Sequence, residues 1–308
     1  MPSGPLTTPD PVHPGLGRVI RRGDAAAPGG VPGERSERAL AKERTENFPV
    51  AMRVLPADLR ADLRAAYDVL RLVDDLGDEA DGDRTAQLEA LSAELAGLWR
   101  GEPVTTPALV RLAPTVRARG LSEEPFQRLV QANLQDQVVS RYANRAELQG
   151  YCDLSAAPVG RLVLELFGAS TPGRVALSDR VCTGLQLLEH WQDVAEDRRA
   201  GRVYLPQDAL AAAGVPETDL DAVTTSPRLA TLVLGQVALA EELLAAGPPL
   251  VGQLRGWARV AVAGYVAGGR ATADALRRAG GNVLSGPPRP RRRDVARHAA
   301  ALLIGARR

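Results

Sequence analysis

Cysteine is scarce in this chain, with two residues in 308, Cys152 and Cys182, and no CxxC spacing. Histidine occurs three times, at His13, His190 and His298, too scattered to read as a ligand set. A disulfide framework and a zinc centre built on Cys and His are therefore excluded as organising features. Lysine occurs once, at Lys42, so arginine supplies nearly all the positive charge. That bias fits GC-rich coding as readily as anion binding. The net charge of +1 gives no bulk basic excess to hold nucleic acid. No uninterrupted apolar run reaches the ~20 residues that span a bilayer, and no segment reads as a secretory signal. These absences predict a cytoplasmic protein with no nucleic-acid partner.

What is present is helical periodicity. At 45% hydrophobic and 24% charged residues, the chain is long enough to bury a large core. Residues 1–37 are rich in Pro, Gly and Arg and read as a disordered tail. From Pro56, "ADLRADLRAAYDVLRLVDDLGDEADGD" places Leu and Val at three- and four-residue spacing and predicts one long helix. "DRTAQLEALSAELAGLWRG" predicts another, stopped by Gly101. "LSEEPFQRLVQANLQDQVVSRYANR" predicts a third, with Ser122 at its start. Further helices are expected from Thr171 to Gly201, from Ser226 to Gly247 and from Leu250 to Gly280. Strand-like alternation is nearly absent. The expected fold is all-α, a single-domain bundle of long helices over residues 38–285. Residues 286–308 form a basic C-terminal tail with a short amphipathic helix.

Negative charge is gathered in two places. "VDDLGDE" puts Asp74 and Asp78 one turn apart on one helix face, with Tyr67 and Arg71 upstream on the same face. Asp75 and Glu79 form a second pair beside it. "EHWQDVAEDRRAGRVYLP" repeats the pattern with Glu189, Asp193 and Asp197 in one stripe. Like charges at this spacing cost a helix ~0.2–0.5 kcal/mol per pair. Screening by water and by Arg198, Arg199 and Arg202 is one way to offset that. The other is a bound cation. Hard carboxylate oxygens on facing helices suit Mg²⁺, which leaves room in its shell for substrate phosphates. Such an ion would neutralise a diphosphate leaving group.

Four stretches carry a resemblance: "ENFPVAMRVLP" (Glu46–Pro56), "YDVLRLVDDLGDE" (Tyr67–Glu79), "YCDLSAAPVGRLVLELFG" (Tyr151–Gly168) and "QDVAEDRRAGRVYLP" (Gln192–Pro206). In this order and spacing the chain resembles the squalene/phytoene synthases over roughly residues 38–290. "ENFPV" and "PVGRL" make it most similar to the hydroxysqualene synthase branch. The resemblance implies the class I isoprenoid synthase fold and conversion of presqualene diphosphate to hydroxysqualene with Mg²⁺ and without NADPH. It implies that Asp74, Asp78, Asp193 and Asp197 are catalytic metal ligands joined by Glu189, and that Tyr67 and Arg71 face the diphosphate. Arg202 and Tyr204 match the segment that helps close the site, and Phe48, Tyr151, Gly160 and Tyr265 are assigned to the substrate. Two departures stand out: Glu189 and Ala157 occupy positions where the family often has asparagine. Head-to-head condensation of farnesyl diphosphate is the alternative activity. A non-catalytic assembly protein of the same fold is the alternative of another class. Functional coupling to a presqualene diphosphate synthase is a further expectation.

Other residues admit two readings. Cys152 and Cys182 read as small core residues, since no base adjoins them. Trp191, Phe167, Tyr151 and Tyr265 read as either a prenyl cavity facing a carbocation or ordinary core. Gly160 allows either close helix packing or close passage of substrate. "GGR" before Ala271 follows no strand, so it is not a dinucleotide fingerprint. "RPRRRDVARHAAALLIGARR" is either a packed terminal helix or a basic amphipathic segment making transient contact with a membrane surface.

Overall fold

The computed structural model describes residues 55–305. Phe48, the tail over 1–37 and most of the "ENFPVAMRVLP" stretch lie outside them. The described chain folds into thirteen α-helices: α1 (Ala57–Asp78), α2 (Arg84–Arg100), α3 (Pro107–Arg119), α4 (Glu124–Asp136), α5 (Arg145–Ser155), α6 (Ala157–Leu166), α7 (Pro172–Gln192), α8 (Val194–Arg199), α9 (Gln207–Ala212), α10 (Pro227–Leu244), α11 (Gly247–Gln253), α12 (Gly256–Arg278) and α13 (Arg292–Gly305). A 3₁₀ turn spans Glu217–Asp221. Among the described residues the only extended pairing is an isolated bridge between Arg141 and Val203. The expected all-α fold is what forms.

Local chemistry explains several of the helix ends. Asp83 caps α2 by accepting from the Ala86 N–H at 3.0 Å, and Gly101 ends it in the left-handed region at φ 78°. Ser226 caps α10 through the Leu229 N–H. Other ends are shorter than the periodicity predicts. The long first helix stops at Asp78, so the first acidic motif sits at a helix C-terminus. That is the negative end of the helix dipole. α1 has no basic residue in its last turn; Arg84 supplies one, donating from Nε to the Ala80 carbonyl at 2.9 Å. The expected third helix ends at Asp136, and residues 137–144 form an irregular link. Ser122 is not its cap, because its backbone N–H and hydroxyl both bond the Glu165 carboxylate.

Two apolar clusters make the core. One joins α1 to α4 and α6 through Leu63, Val69, Leu88, Leu109, Phe126 and Leu162. The other centres on α7, α10 and α12 through Trp191, Val233, Val237, Ala263 and Val266. Half-buried Phe167 packs against both. Gly269 lets α12 approach α7 and α10 closely: a Cβ there would lie 3.1 Å from Leu244 and still nearer Leu185. Residues 227–253 are long and apolar enough to cross a membrane, yet they fold as α10 and α11, broken near Ala245. Leu229, Val233, Val237 and Ala240 of this stretch are fully buried in the second cluster. α13 lies along α12, anchored by buried Asp294, which accepts from Arg278 at 2.8 Å.

Candidate active site

The C-terminal half of α1 carries Tyr67, Arg71, Asp74 and Asp78 on one stripe. Two residues, one in α4 and one at its C-terminal cap, fix this end. Asn133, buried, donates to Asp74 at 3.4 Å. Gln137, just past the helix, donates to the Gly77 carbonyl at 3.0 Å. Gly77 is required here, because a Cβ on it would lie 2.9 Å from Asn133 Cγ and closer still to Oδ1. Arg71 donates from Nε to Asp75 at 2.9 Å, one turn further along α1.

The second acidic motif is not one continuous helix. Asp193 is a break between α7 and α8, at φ −102° and ψ 15°. Hydrogen bonds still run through it: its N–H reaches the Glu189 carbonyl at 3.0 Å, and the Asp197 N–H reaches its own carbonyl at 2.8 Å. Glu189, Asp193 and Asp197 therefore stay near one another while the chain changes direction. The segment after α8 then brings Arg202 across to the first motif, where Nη2 donates to Asp78 at 2.7 Å. This bond spans 124 residues of sequence and ties the two motifs together.

Burial sets the electrostatics. The Asp197 carboxyl is pushed up to about 7 by burial first, then by Asp193, against the pull of Arg202. His190 lies 3.9 Å from Asp197, but burial and Arg202 drive the imidazole down to about 3, so it is neutral and the contact is no ion pair. Burial works against the charge of Arg202, but Tyr204, Asp78 and Asp136 outweigh it and hold the guanidinium above its ordinary value. Tyr204 stacks on His190 at 3.7 Å between ring centres, and on Tyr142 and Tyr151 at 5.9 and 5.8 Å. A small cleft opens beside this stack, lined by His190, Asp197, Arg202 and Tyr204 with apolar Val194 and Leu220.

Asp136, at the end of α4, is the residue that sequence reasoning missed. Burial raises its carboxyl to about 6; Arg202 and the Tyr151 hydroxyl pull it down, and Asp78 and Asp74 push it up. Tyr151 donates to it at 2.7 Å. Its signal lay in "NLQDQ", where Asn133, Asp136 and Gln137 share one polar face of an otherwise apolar helix. Asp74, Asp78, Tyr151, Arg202 and Tyr204 are thus joined around Asp136, while Asp193 and Glu189 act on the same group of charges through Asp197.

Gly160 and Tyr265 stand apart from these acids. A Cβ on Gly160 would lie 2.5 Å from Cys182 Sγ, so this glycine serves the close approach of α6 to α7. Burial raises the Tyr265 hydroxyl, and nearby Cys182 adds to the rise. Burial lifts Cys152 to about 12 and Cys182 to about 11, which keeps both as core thiols.

Among the described residues no three His, Cys, Asp or Glu side chains converge closely enough to hold a metal ion by themselves. The donors nevertheless fit Mg²⁺ in kind. They are hard oxygens on facing segments, and Asp136 Oδ1 and Asp197 Oδ2 are buried with no hydrogen-bond partner. Arg202 puts a positive charge between the motifs through its bond to Asp78.

The profile of the squalene/phytoene synthase family matches residues 41–296. The chain is 38% identical over 216 residues to a hydroxysqualene synthase of Rhodopseudomonas palustris, covering 69% of this chain and 72% of that one. It is 34% identical over 176 residues to a presqualene diphosphate synthase of the same species, covering 56% and 62%. Among solved structures, the squalene synthase HpnC of Alicyclobacillus acidocaldarius superposes with a TM-score of 0.73 at 37% identity, over 81% of this chain and 97% of that one. A dehydrosqualene synthase superposes with a TM-score of 0.78 at 20% identity, over 90% and 99%, a likeness of fold alone. With its helical bundle, its two acidic motifs and a profile match over most of its length, this chain belongs to the squalene/phytoene synthase family.

Proposed function

We propose that the protein converts presqualene diphosphate to hydroxysqualene, releasing diphosphate and adding one water. The observation that carries this reading is the Arg202–Asp78 bond beside the largely buried carboxyls of Asp136 and Asp197. Uncompensated buried carboxylates are costly, and a site that keeps them is arranged to receive positive charge together with a polyanion. Relatives named hydroxysqualene synthase at 37–38% identity favour this activity over others in the family.

In this reading Asp74 and Asp78 from α1, with Glu189, Asp193 and Asp197 from α7 and α8, would hold Mg²⁺. When bound, it supplies charge neutralisation for the departing diphosphate. Arg202 and Arg71 bind phosphate oxygens through their guanidinium forks, exchanging Asp78 and Asp75 for the substrate. Asn133 holds Asp74 in place. Tyr204, Tyr142 and Tyr151 form a ring-lined wall beside the cleft that shields a carbocation from bulk water and presents π faces to it. The carbon–oxygen bond to diphosphate breaks, the cation rearranges, and water forms the new carbon–oxygen bond with loss of one proton. No hydride is transferred, so no NADPH is required. The protein works in the cytoplasm and meets a membrane surface transiently, because substrate and product are too apolar to cross water freely. Coupling to a presqualene diphosphate synthase follows from the same need.

Diphosphate release from presqualene diphosphate, with product analysis in the presence and absence of NADPH, tests the proposal. A second reading, condensation of two farnesyl diphosphates, is favoured by the presqualene diphosphate synthase relatives at 32–34% identity. Consumption of farnesyl diphosphate in the same assay would select it.

A further inference from the structure

Where α12 begins and α13 ends, the molecule exposes apolar side chains. Trp257 is 39% exposed, Val260 43% and Ile304 65%, three of the six large apolar side chains left exposed among the described residues. Trp257 and Val260 lie three apart on α12, and exposed Gly264 continues their face. Ile304 joins them from α13, because Arg259 Nη2 donates to the neighbouring Leu303 carbonyl at 2.6 Å.

The two chain segments that meet here carry charge of one sign. No acidic residue occurs from Leu243 through Ala273, and none from Val295 to the end of the chain. Arg255 is exposed two residues before Trp257. The nearest acid along α12 is Asp274, ~25 Å away at the rise of a helix. It is already paired with His298 at 2.8 Å, as Asp294 is with Arg278 at 2.8 Å.

We propose that this end of the molecule docks on an anionic lipid bilayer, with Trp257, Val260 and Ile304 entering the headgroup region and Arg255 facing lipid phosphates. An aromatic ring with a polar N–H, flanked by aliphatic side chains and arginine, matches the chemistry of that interface. The motive, an apolar substrate and product, rests on the function proposed above; the residues rest on exposure and charge alone. Docking is reversible, since the apolar area is small and the attraction is screened by salt.

The full chain is sedimented with vesicles of phosphatidylglycerol and phosphatidylcholine, or of phosphatidylcholine alone, at low and high salt. Binding is expected to the anionic vesicles at low salt and to fall at least tenfold at high salt or without the anionic lipid. Trp257→Ser/Val260→Ser/Ile304→Ser is expected to lose at least tenfold in partitioning. Arg255→Glu is expected to lose about tenfold or more, since each cationic side chain contributes about fivefold and reversal counts twice. Trp191 is buried and Trp99 is partly buried with its N–H on the Leu121 carbonyl. An emission blue shift on adding vesicles therefore reports Trp257, and it should vanish in Trp257→Phe. Equal binding by the triple variant and by Arg255→Glu, equal binding to zwitterionic vesicles, or no blue shift would each overturn the proposal. Turnover of detergent-solubilised substrate separates this from the function. Lost vesicle binding with retained turnover supports the surface, and vesicle binding without any turnover leaves the surface standing while the function falls.

Discussion

Replacing Gly77 by alanine tests the link between packing and the first acidic motif. In an unpacked helix this change stabilises by about 1 kcal/mol. Here the new Cβ would sit 2.9 Å from Asn133 Cγ and 3.2 Å from its Cβ. Asn133 is buried and cannot swing clear without giving up its bonds to the Leu129 carbonyl and Asp74. Overpacking of this kind costs ~1–3 kcal/mol, so the net expectation is a loss of about 1 kcal/mol, or roughly 2–4 °C in Tm for a domain of this size. The turnover rate should fall further than stability, because displaced Asn133 no longer holds Asp74. The sharper test is the sign in a second background. With Asn133→Ala the obstructing amide is gone, and Gly77→Ala should then stabilise by up to ~1 kcal/mol, recovering the helix preference. Denaturant unfolding of the four proteins of this cycle measures it. Stabilisation by Gly77→Ala in both backgrounds, or destabilisation in both, would refute the packing argument.

Further outcomes follow from the charges. Asp197 is raised by burial to about 7, against an ordinary value near 4, so the folded state keeps a proton that the unfolded state releases between those values. Without Mg²⁺, wild type should therefore lose stability relative to Asp197→Asn as pH rises from about 4 to about 7. His190 works in the opposite direction below its ordinary value and cancels in the difference; a flat difference in thermal unfolding across that window would contradict the burial of Asp197. Arg202→Met removes the cation between the motifs and should cost ~1–3 kcal/mol, discounted because Asp78 is half exposed. Added Mg²⁺ should raise the Tm of this variant more than that of wild type. Asp294→Ala, at the docked terminal helix, should destabilise by ~1–3 kcal/mol while leaving turnover of detergent-solubilised substrate unchanged.

Local signals made much of the bundle legible. The helix from Arg84 to Arg100 carries its cap and its stop in the chain itself, and the helix from Pro227 likewise starts at a serine cap. Breaks were not legible where tertiary contacts impose them. Nothing in "EHWQDVAED" breaks a helix, yet the chain turns at Asp193 while its hydrogen bonds persist. Ser122 looks like a cap by position, but Glu165, 43 residues away, claims it. The paired acids stood out because they repeat at helical spacing. Asp136 did not, because it is single and its partners, Tyr151 and Arg202, come from other helices and loops. The terminal helix was readable as either docked or membrane-facing; Asp294 and Leu302 bury one face of it, while Ile304 remains outside.

Turnover of presqualene diphosphate in ¹⁸O-labelled water, with Mg²⁺ and without NADPH, bears most directly on the proposed chemistry. One diphosphate released for each hydroxysqualene formed and one labelled oxygen in each product alcohol are expected, with loss of both in Asp78→Asn and Asp193→Asn proteins that remain folded. Unlabelled product, a strict requirement for NADPH, or full activity in either variant would contradict the proposed chemistry.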